Sequence, residues 1–314
     1  MSRAQSILDL CQKYVDVTTR ANGLTYGSDS AQNSLLANGI FPHELDHSEL
    51  LSAVSGISTT ILYPGLNTLL TDDIQVIWMW CAEILLGGAA MPFQEEDRRE
   101  HQILYQTIMR ALSARTNPNN IDIFEFVRVK PHIINISAEQ VIQNSSLAAS
   151  YLVFPCLEAL LKFLCHEYVD MGGKIKTNFS VQRKGKSTTY KVDGRECSSI
   201  EVLLKLHYNQ IASPTLKSHL DRLKDRLCTI TGNDDAFAVI GTWRNQSLHG
   251  QESFWTTGGT ILNYCLLLSL SEIEPTYDAR KLQALRDSRR VAERNNPDQF
   301  NYYGIDQRGL PAPI

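Results

Sequence analysis

The residues whose types and spacing best suit catalysis lie in the segment WRNQSLHG, from Trp243 to Gly250. Four residues separate Arg244 from His249, and a polar residue, Asn245, directly follows the arginine. A histidine has an ordinary pKa of about 6.5, so His249 can accept or donate a proton near neutral pH. Arg244 stays charged and offers a planar set of donors that suits phosphoryl oxygens. The segment therefore predicts a catalytic site of Arg244 and His249, with Asn245 as a third candidate that could hold the imidazole or the phosphate.

Helix signals surround this segment and must position it. Three polar residues at 233–235 predict a cap for a helix from Ala236 to about Leu248, and Gly250 stands where a helix commonly ends. Apolar residues that recur at every third or fourth position predict one long helix over residues 147–171. Ser213 followed by Pro214 predicts the start of another helix. Two more helices are predicted after the segment, at Thr260–Ser271 and Asp278–Arg294.

The segment resembles the Arg-x4–6-His motif of the HEPN superfamily, a group of small all-α domains found in many RNA-cleaving toxins and antiviral effectors. The match includes the Asn245 that follows Arg244 and the His-Gly ending, and with the neighbouring helices it covers about residues 145–295. The resemblance implies a metal-independent endoribonuclease. Such an enzyme removes a proton from a ribose 2′-OH, stabilises negative charge at phosphorus and protonates the departing 5′ oxygen.

A single His249 cannot easily make both proton transfers, and members of the family resolve this by dimerising. The resemblance therefore implies a homodimer in which two motif helices face each other. It also implies RNA as the substrate, a role in phage defence or as a toxin, and a regulatory or antitoxin protein as a further partner.

A non-catalytic function is the alternative, because some family members are binding or scaffold modules and a fold alone does not decide function. In that case the HEPN-like domain mediates assembly in a multi-protein or RNA-binding complex. His249 then only interacts with the helix dipole, and Arg244 pairs with an acid from a neighbouring helix.

A second basic cluster lies at residues 174–196, where seven basic residues stand against two acidic ones. The pattern predicts a hairpin with Arg183, Lys184 and Lys186 at its tip. These cations could bind RNA phosphates, and a solvated hairpin face is the equal alternative. A solvent-facing surface is also favoured for the cations of the last predicted helix, which are Arg280, Lys281, Arg286, Arg289, Arg290 and Arg294.

Glu158 and Lys162 are spaced for an ion pair on the long helix. Glu158 is also a candidate for lining the cleft between two protomers.

Metal and cofactor sites find little support. His43 and His47 could share one helical face, but Pro42 and the lack of a third ligand argue against a metal site. The seven cysteines form no Cys-x-x-Cys pair, and their odd number argues against a disulfide framework, so reduced thiols are predicted. The glycine-rich motifs for phosphates and dinucleotides are absent from the sequence. We therefore expect no metal and no cofactor.

The composition is typical of a globular protein. Of the 314 residues, 43% are hydrophobic and 20% are charged, which excludes a disordered tail, a collagen-like fibre and a charged coiled coil. The most apolar stretches are interrupted or too short for a membrane span, and the N-terminus lacks the apolar core of a secretory signal. A cytoplasmic protein without membrane contact is expected. Residues 1–130 carry 15 acidic and 9 basic residues, against 19 and 21 in residues 131–314, so nucleic acid is expected to bind the C-terminal part.

The predicted fold class is all-α, a HEPN-like helical bundle with a basic β-hairpin insertion and a preceding N-terminal helical region. The expected division is an N-terminal helical region of unknown role at 1–130, a linker at 131–145, the HEPN-like domain at 146–295 and an irregular tail at 296–314. In the N-terminal region, apolar periodicity and capping residues predict four helices. The first carries the apolar stripe from Ile7 to Val15 and ends near residues 21–23. The others run from the cap Ser48 to about Leu62, from Thr71 through Leu85 and from Glu95 toward Arg115.

Overall fold

The computed structural model describes residues 2–20, 35–61, 71–87, 93, 99–113, 151–183, 185–192, 194, 196–248 and 254–294. This part of the chain contains ten α-helices and one two-stranded antiparallel sheet. The predominantly helical fold class is thereby confirmed. The predicted linker at 131–145 and the predicted tail at 296–314 lie outside the described residues.

The helices are numbered in chain order. They are α1 (Arg3–Arg20), α2 (His47–Ile61), α3 (Thr71–Leu86), α4 (Arg99–Ser113), α5 (151–164), α6 (Ile200–Leu206), α7 (Pro214–Thr231), α8 (Ala236–Leu248), α9 (Phe254–Glu272) and α10 (Tyr277–Arg294). The strands β1 (Phe179–Arg183) and β2 (Lys186–Tyr190) lie between α5 and α6, and a π-helical turn (His207–Ile211) follows α6.

The starts of the helices follow local capping chemistry. The Ser213 hydroxyl accepts a hydrogen bond from the Leu216 amide at 3.2 Å, and Pro214 opens α7 as predicted. The cap of α2 was predicted at Ser48, but Asp46 has that role. Its carboxylate accepts the Glu49 amide at 2.8 Å while the Glu49 carboxylate accepts the Asp46 amide at 2.9 Å. This reciprocal pair satisfies two free amides of the first turn, which a cap at Ser48 would leave unpaired.

The prediction of one helix over 147–171 is wrong at its C-terminal end, because α5 ends at residue 164. The chain then turns, and Val169 pairs with Ile175 in an isolated antiparallel bridge. Lys176 donates to the His166 carbonyl and Thr177 to the Glu167 carbonyl, each at 2.8 Å. The returning segment thus takes carbonyls that a longer helix would have used. Val169 is buried there, and Tyr168 and Met171 pack partly buried against the core.

The predicted hairpin is confirmed. Phe179 of β1 lies opposite Tyr190 of β2, and Arg183 lies opposite Lys186. The rings of Phe179 and Tyr190 stack with their centroids 5.0 Å apart. Gly185 in the turn has a φ of +73°, a conformation that favours glycine.

Helices from both halves of the chain contribute to one buried apolar cluster. It includes Ile7 of α1, Trp80 of α3, Leu157 of α5 and Leu266 of α9. The Trp78 indole of α3 also donates to the Asn263 amide oxygen of α9, at 2.9 Å within this core. The N-terminal region therefore packs directly on the C-terminal helices, and its division from them as a domain stays a prediction.

Two cations of α10 are not solvent-facing, contrary to the prediction. Arg280 is buried and lies 3.5 Å from the carbonyls of Ile84 and Leu85, which end α3. Lys281 donates to the Leu45 carbonyl at 2.7 Å. Cations stabilise the unpaired carbonyls at a helix C-terminus, so α10 uses these side chains for docking. Arg286 is exposed, as predicted.

Within the described residues, no helix is both long and apolar enough to cross a membrane. All seven cysteines are free thiols, as predicted.

Candidate functional site

Helix α8 carries Arg244 toward its C-terminal end. Asp235 caps this helix, as predicted, by accepting the amides of Phe237 at 3.1 Å and Ala238 at 3.2 Å. Phe237 and Ile240 are buried and fix the orientation of the helix against α6 and α7. With this apolar face turned inward, the Arg244 side chain keeps 38% of its surface exposed.

Arg244 lies beside a carboxylate of α5. Its Nη2 is 3.9 Å from Oε2 of Glu158, and its Nη1 donates to the Asn245 side-chain oxygen at 3.3 Å. Glu158 has a closer partner in Lys162, whose Nζ is 2.9 Å from Oε1, which confirms the predicted ion pair. Two cations therefore share one carboxylate that is 18% exposed. These three described side chains together carry a net positive charge, and the guanidinium has more donors than its contacts to Glu158 and Asn245 use.

The sequence offered two interpretations of Arg244, a catalytic residue and a structural residue that pairs with an acid from a neighbouring helix. An acid from a neighbouring helix does lie near the arginine, as the structural alternative expected. The same Glu158 is the residue predicted to line the cleft between protomers, and that role stays a prediction. His249 and Gly250 lie outside the described residues, so the role of the histidine stays a prediction.

The three cations predicted at the hairpin tip do not behave alike. Arg183 turns toward α6, where its Nε donates to Oε2 of Glu201 at 3.0 Å. Lys186 is exposed on the opposite strand, and Lys184 lies outside the described residues. Contact with RNA stays a prediction for all three, and Arg183 already has a protein partner.

A charge cluster that the sequence did not predict lies at the opposite end of α8. Lys205 of α6 donates to Glu201 at 2.9 Å and to Asp235 at 2.6 Å. Burial acts to lower the pKa of Lys205, but the hydrogen bonds to Asp235 and Glu201 outweigh it and raise that pKa above its ordinary value. The spacing of Glu201 and Lys205 by one helical turn was the only local signal of this cluster.

A second polar group follows α6. The Tyr208 hydroxyl donates to Asp221 at 2.7 Å, and Lys224 donates to the same carboxylate at 2.9 Å while lying 3.9 Å from the tyrosine ring centroid. Burial acts to raise the pKa of Asp221, but the hydrogen bonds from Tyr208 and Lys224 hold it below its ordinary value. These three side chains satisfy each other and tie the π-helical turn to α7.

The two histidines considered for a metal site lie on different elements. His43 is buried in the short 3-10 turn Pro42–Glu44, where burial lowers its pKa. His47 begins α2, and its Nε2 lies 2.9 Å from the Leu270 carbonyl oxygen. Across the part of the chain that the structure describes, no group of three or more His, Cys, Asp or Glu side chains could hold a metal ion.

The chain matches no family model, no curated protein and no solved structure. The functional interpretation therefore depends on Arg244, Asn245 and the charged side chains around them.

Proposed function

We propose that the chain is a metal-independent endoribonuclease of HEPN type that cleaves RNA by 2′-OH attack. The observation that carries this proposal is the Arg244 guanidinium, which is partly exposed and, among the described residues, has its nearest carboxylate at 3.9 Å. A phosphate that approaches α8 can form shorter, charge-assisted hydrogen bonds to this group than Glu158 does.

The reaction needs two proton transfers and one site of charge stabilisation. A base removes the proton of the ribose 2′-OH, the 2′ oxygen bonds to the adjacent phosphorus, and the bond to the 5′ oxygen breaks as that oxygen is protonated. The products are a 2′,3′-cyclic phosphate and a 5′-hydroxyl. In the proposal His249 supplies base or acid chemistry, Arg244 stabilises the charge on the phosphoryl oxygens, and Asn245 holds the phosphate or the imidazole.

Each chain has one copy of this motif, so the proposed active form is a homodimer that brings two copies of His249 to one site. Glu158 would then line the cleft between the two motif helices. Specific activity should fall when the protein is diluted below the dissociation constant of the dimer. A strictly monomeric protein with a specific activity independent of concentration would contradict the shared site.

The proposed biological setting is phage defence or toxicity, in the cytoplasm, with a regulatory or antitoxin protein as a partner. The basic hairpin is the proposed contact for the RNA backbone. If the wild-type protein is toxic on expression, substitution of His249 by alanine should relieve that toxicity.

The direct test is to incubate the full chain with end-labelled RNA in EDTA and to analyse the product ends. Wild-type protein should yield 2′,3′-cyclic phosphate ends. His249→Ala should yield none above background, and Arg244→Ala should yield them at least about 100-fold more slowly than the wild type. Arg286→Ala, which removes an exposed arginine on α10, is the matched control and should cleave like the wild type. Cleavage by Arg244→Ala at the wild-type rate would overturn the assignment.

A non-catalytic interaction module is the second candidate, and the proximity of Arg244 to Glu158 is the observation that favours it. In that case the wild type leaves RNA intact in EDTA and in magnesium. Arg244→Ala would then act only through stability, as a lower melting temperature.

A further inference from the structure

We propose that Arg183, Glu201, Lys205 and Asp235 form a positioning relay that couples the hairpin to helix α8 and thereby to Arg244. Its effect on catalysis rests on the proposed function, whereas its effect on α8 does not. In this relay Arg183 is a positioning residue, and it differs in role from Lys186 on the opposite strand.

The relay is continuous from strand β1 to the first turn of α8. Arg183 donates to one oxygen of Glu201 at 3.0 Å, and Lys205 donates to the other oxygen at 2.9 Å. Lys205 also donates to Oδ2 of Asp235 at 2.6 Å. The remaining oxygen of Asp235 accepts the amides of Phe237 and Ala238. Every carboxylate oxygen in the chain of contacts therefore has a donor.

Burial makes these contacts mutually dependent. The side chains of Glu201 and Lys205 are 8% and 10% exposed, so little water can replace a lost partner. Two cations and two anions leave the cluster neutral as long as all four are present. Loss of one member leaves a buried charge without compensation, and its neighbours must move to restore pairing.

Helix α8 meets this cluster at a second point. A Cβ atom added at Gly241 would lie 3.4 Å from Cβ of Glu201, so α8 and α6 approach closely at that position. Arg244 follows Gly241 by three residues, which is slightly less than one helical turn. A shift of Glu201 therefore acts on α8 at the cap and again one turn before Arg244.

The hairpin is the part of the relay that can respond to a ligand. A two-stranded sheet has little stability alone, so its position depends on docking through Phe179, Val181 and Arg183 against the helices. Lys186 faces solvent opposite Arg183. An RNA backbone bound at Lys186 would shift the end of the hairpin that carries Arg183. The contacts of the relay would then shift the first turn of α8.

The test compares Arg183→Met with Lys186→Met in the full chain. Arg183 is 42% exposed, so its replacement should not prevent folding. Amide hydrogen exchange over α8 is measured without RNA, and kcat, KM and the salt dependence of RNA binding are measured with it. The Arg183→Met substitution should speed exchange at the first turn of α8 about threefold. It should also lower kcat about tenfold with little change in KM or salt dependence.

Lys186→Met should show the opposite pattern. Without RNA, exchange over α8 should stay at the wild-type value, whereas the slope of log affinity against log salt should fall by about 0.7, the value for one lost contact on a single strand. Arg183→Lys, which can still donate to Glu201, should restore slow exchange in part.

Unchanged exchange over α8 in Arg183→Met would overturn the relay. A loss of RNA affinity with unchanged kcat would also overturn it, because it would make Arg183 an ordinary phosphate ligand. If the wild type does not cleave RNA, the proposed function fails, and the exchange comparison still decides the relay by itself.

Discussion

The two ends of helix α8 differ in how completely their charged groups are paired. At the N-terminal end Lys205 lies 2.6 Å from Asp235 and 2.9 Å from Glu201, and the side chains of Lys205 and Glu201 are only 10% and 8% exposed. At the C-terminal end Arg244 is 38% exposed and lies 3.9 Å from Glu158, the nearest carboxylate in the part of the chain that the structure describes. The first arrangement suits a fixed anchor, since every carboxylate oxygen of Glu201 and Asp235 already has a donor. The second leaves donors for a ligand, which is the property that a phosphate site requires.

The largest expected effect is a loss of RNA cleavage on substitution at the C-terminal end of α8. Arg244→Ala should lower the rate of RNA cleavage about 100-fold to 1,000-fold, the usual loss for a donor that stabilises transition-state charge. The same substitution should change the free energy of unfolding by less than about 1 kcal/mol, because the pair with Glu158 is long and partly exposed. Kinetics and urea denaturation on one preparation check both expectations. If Arg244→Ala lowered the free energy of unfolding by more than it raised the activation free energy of cleavage, Arg244 would be a structural anchor like Lys205.

The next effect is on stability at the anchored end. Lys205→Met should lower the free energy of unfolding by about 3 kcal/mol, since it leaves Glu201 and Asp235 without their shared cation. Lys186→Met removes an exposed lysine and serves as the control, with an expected change below about 0.5 kcal/mol. Equal stability of the two variants in urea would show that the cluster contributes nothing beyond a surface ion pair.

Acid should lower the free energy of unfolding through His207, which directly follows α6. Burial, with a smaller effect from Lys217, lowers the pKa of His207 to about 4. A histidine with a lowered pKa contributes stability that is fully present above the ordinary value of about 6.5 and is lost as pH falls toward 4. The expected loss at this residue is about 3 kcal/mol between pH 7 and pH 4.

The pH effect is measured by urea denaturation at both pH values. His207→Gln should show a smaller difference between pH 7 and pH 4 than the wild type, whereas His166→Gln, which removes an exposed histidine, should show the wild-type difference. If His207→Gln loses as much stability in acid as the wild type, the acid sensitivity lies elsewhere, and buried His219 is the next residue to replace.

The smallest expected effect is the coupling between Arg244 and Glu158. A double-mutant cycle on Arg244→Met and Glu158→Gln should give a coupling energy below about 0.5 kcal/mol. The corresponding cycle on Lys205→Met and Glu201→Gln should exceed about 1 kcal/mol. Similar coupling at both ends would remove the contrast on which the proposed phosphate site depends.

The parts of the fold that the sequence predicted are those set by neighbouring residues. Ser213 and Pro214 begin α7, Asp235 caps α8, and Gly185 forms the turn of the hairpin. Each of these residues acts on neighbours only a few positions away, so its effect can be predicted from the local sequence. The end of α5 was not predicted. Its apolar period continues past residue 164, and only the returning segment at Lys176 and Thr177 shows that the helix stops there.

Long-range pairing explains what sequence reasoning missed at the candidate site. Arg183 and Glu201 are 18 positions apart, and Lys205 and Asp235 are 30 apart, so no local pattern links them. A basic hairpin tip was therefore predicted as one RNA-binding group, although Arg183 is held by a helix. Arg280 was assigned to a solvent-facing surface for the same reason, since the α3 carbonyls that it meets lie far away in the sequence. The Arg244–His249 pattern is visible in the sequence because only four residues separate its two members.

Replacement of a single 2′-OH in the substrate tests most directly whether the protein cleaves RNA by 2′-OH attack. The wild-type protein is incubated in EDTA with two oligonucleotides that differ only in a 2′-deoxy sugar at the cleaved position. We expect cleavage of the all-RNA strand and no cleavage at the substituted position, because the attacking oxygen is absent there. Equal cleavage of both strands, or no cleavage of the RNA strand at any protein concentration, would contradict this expectation.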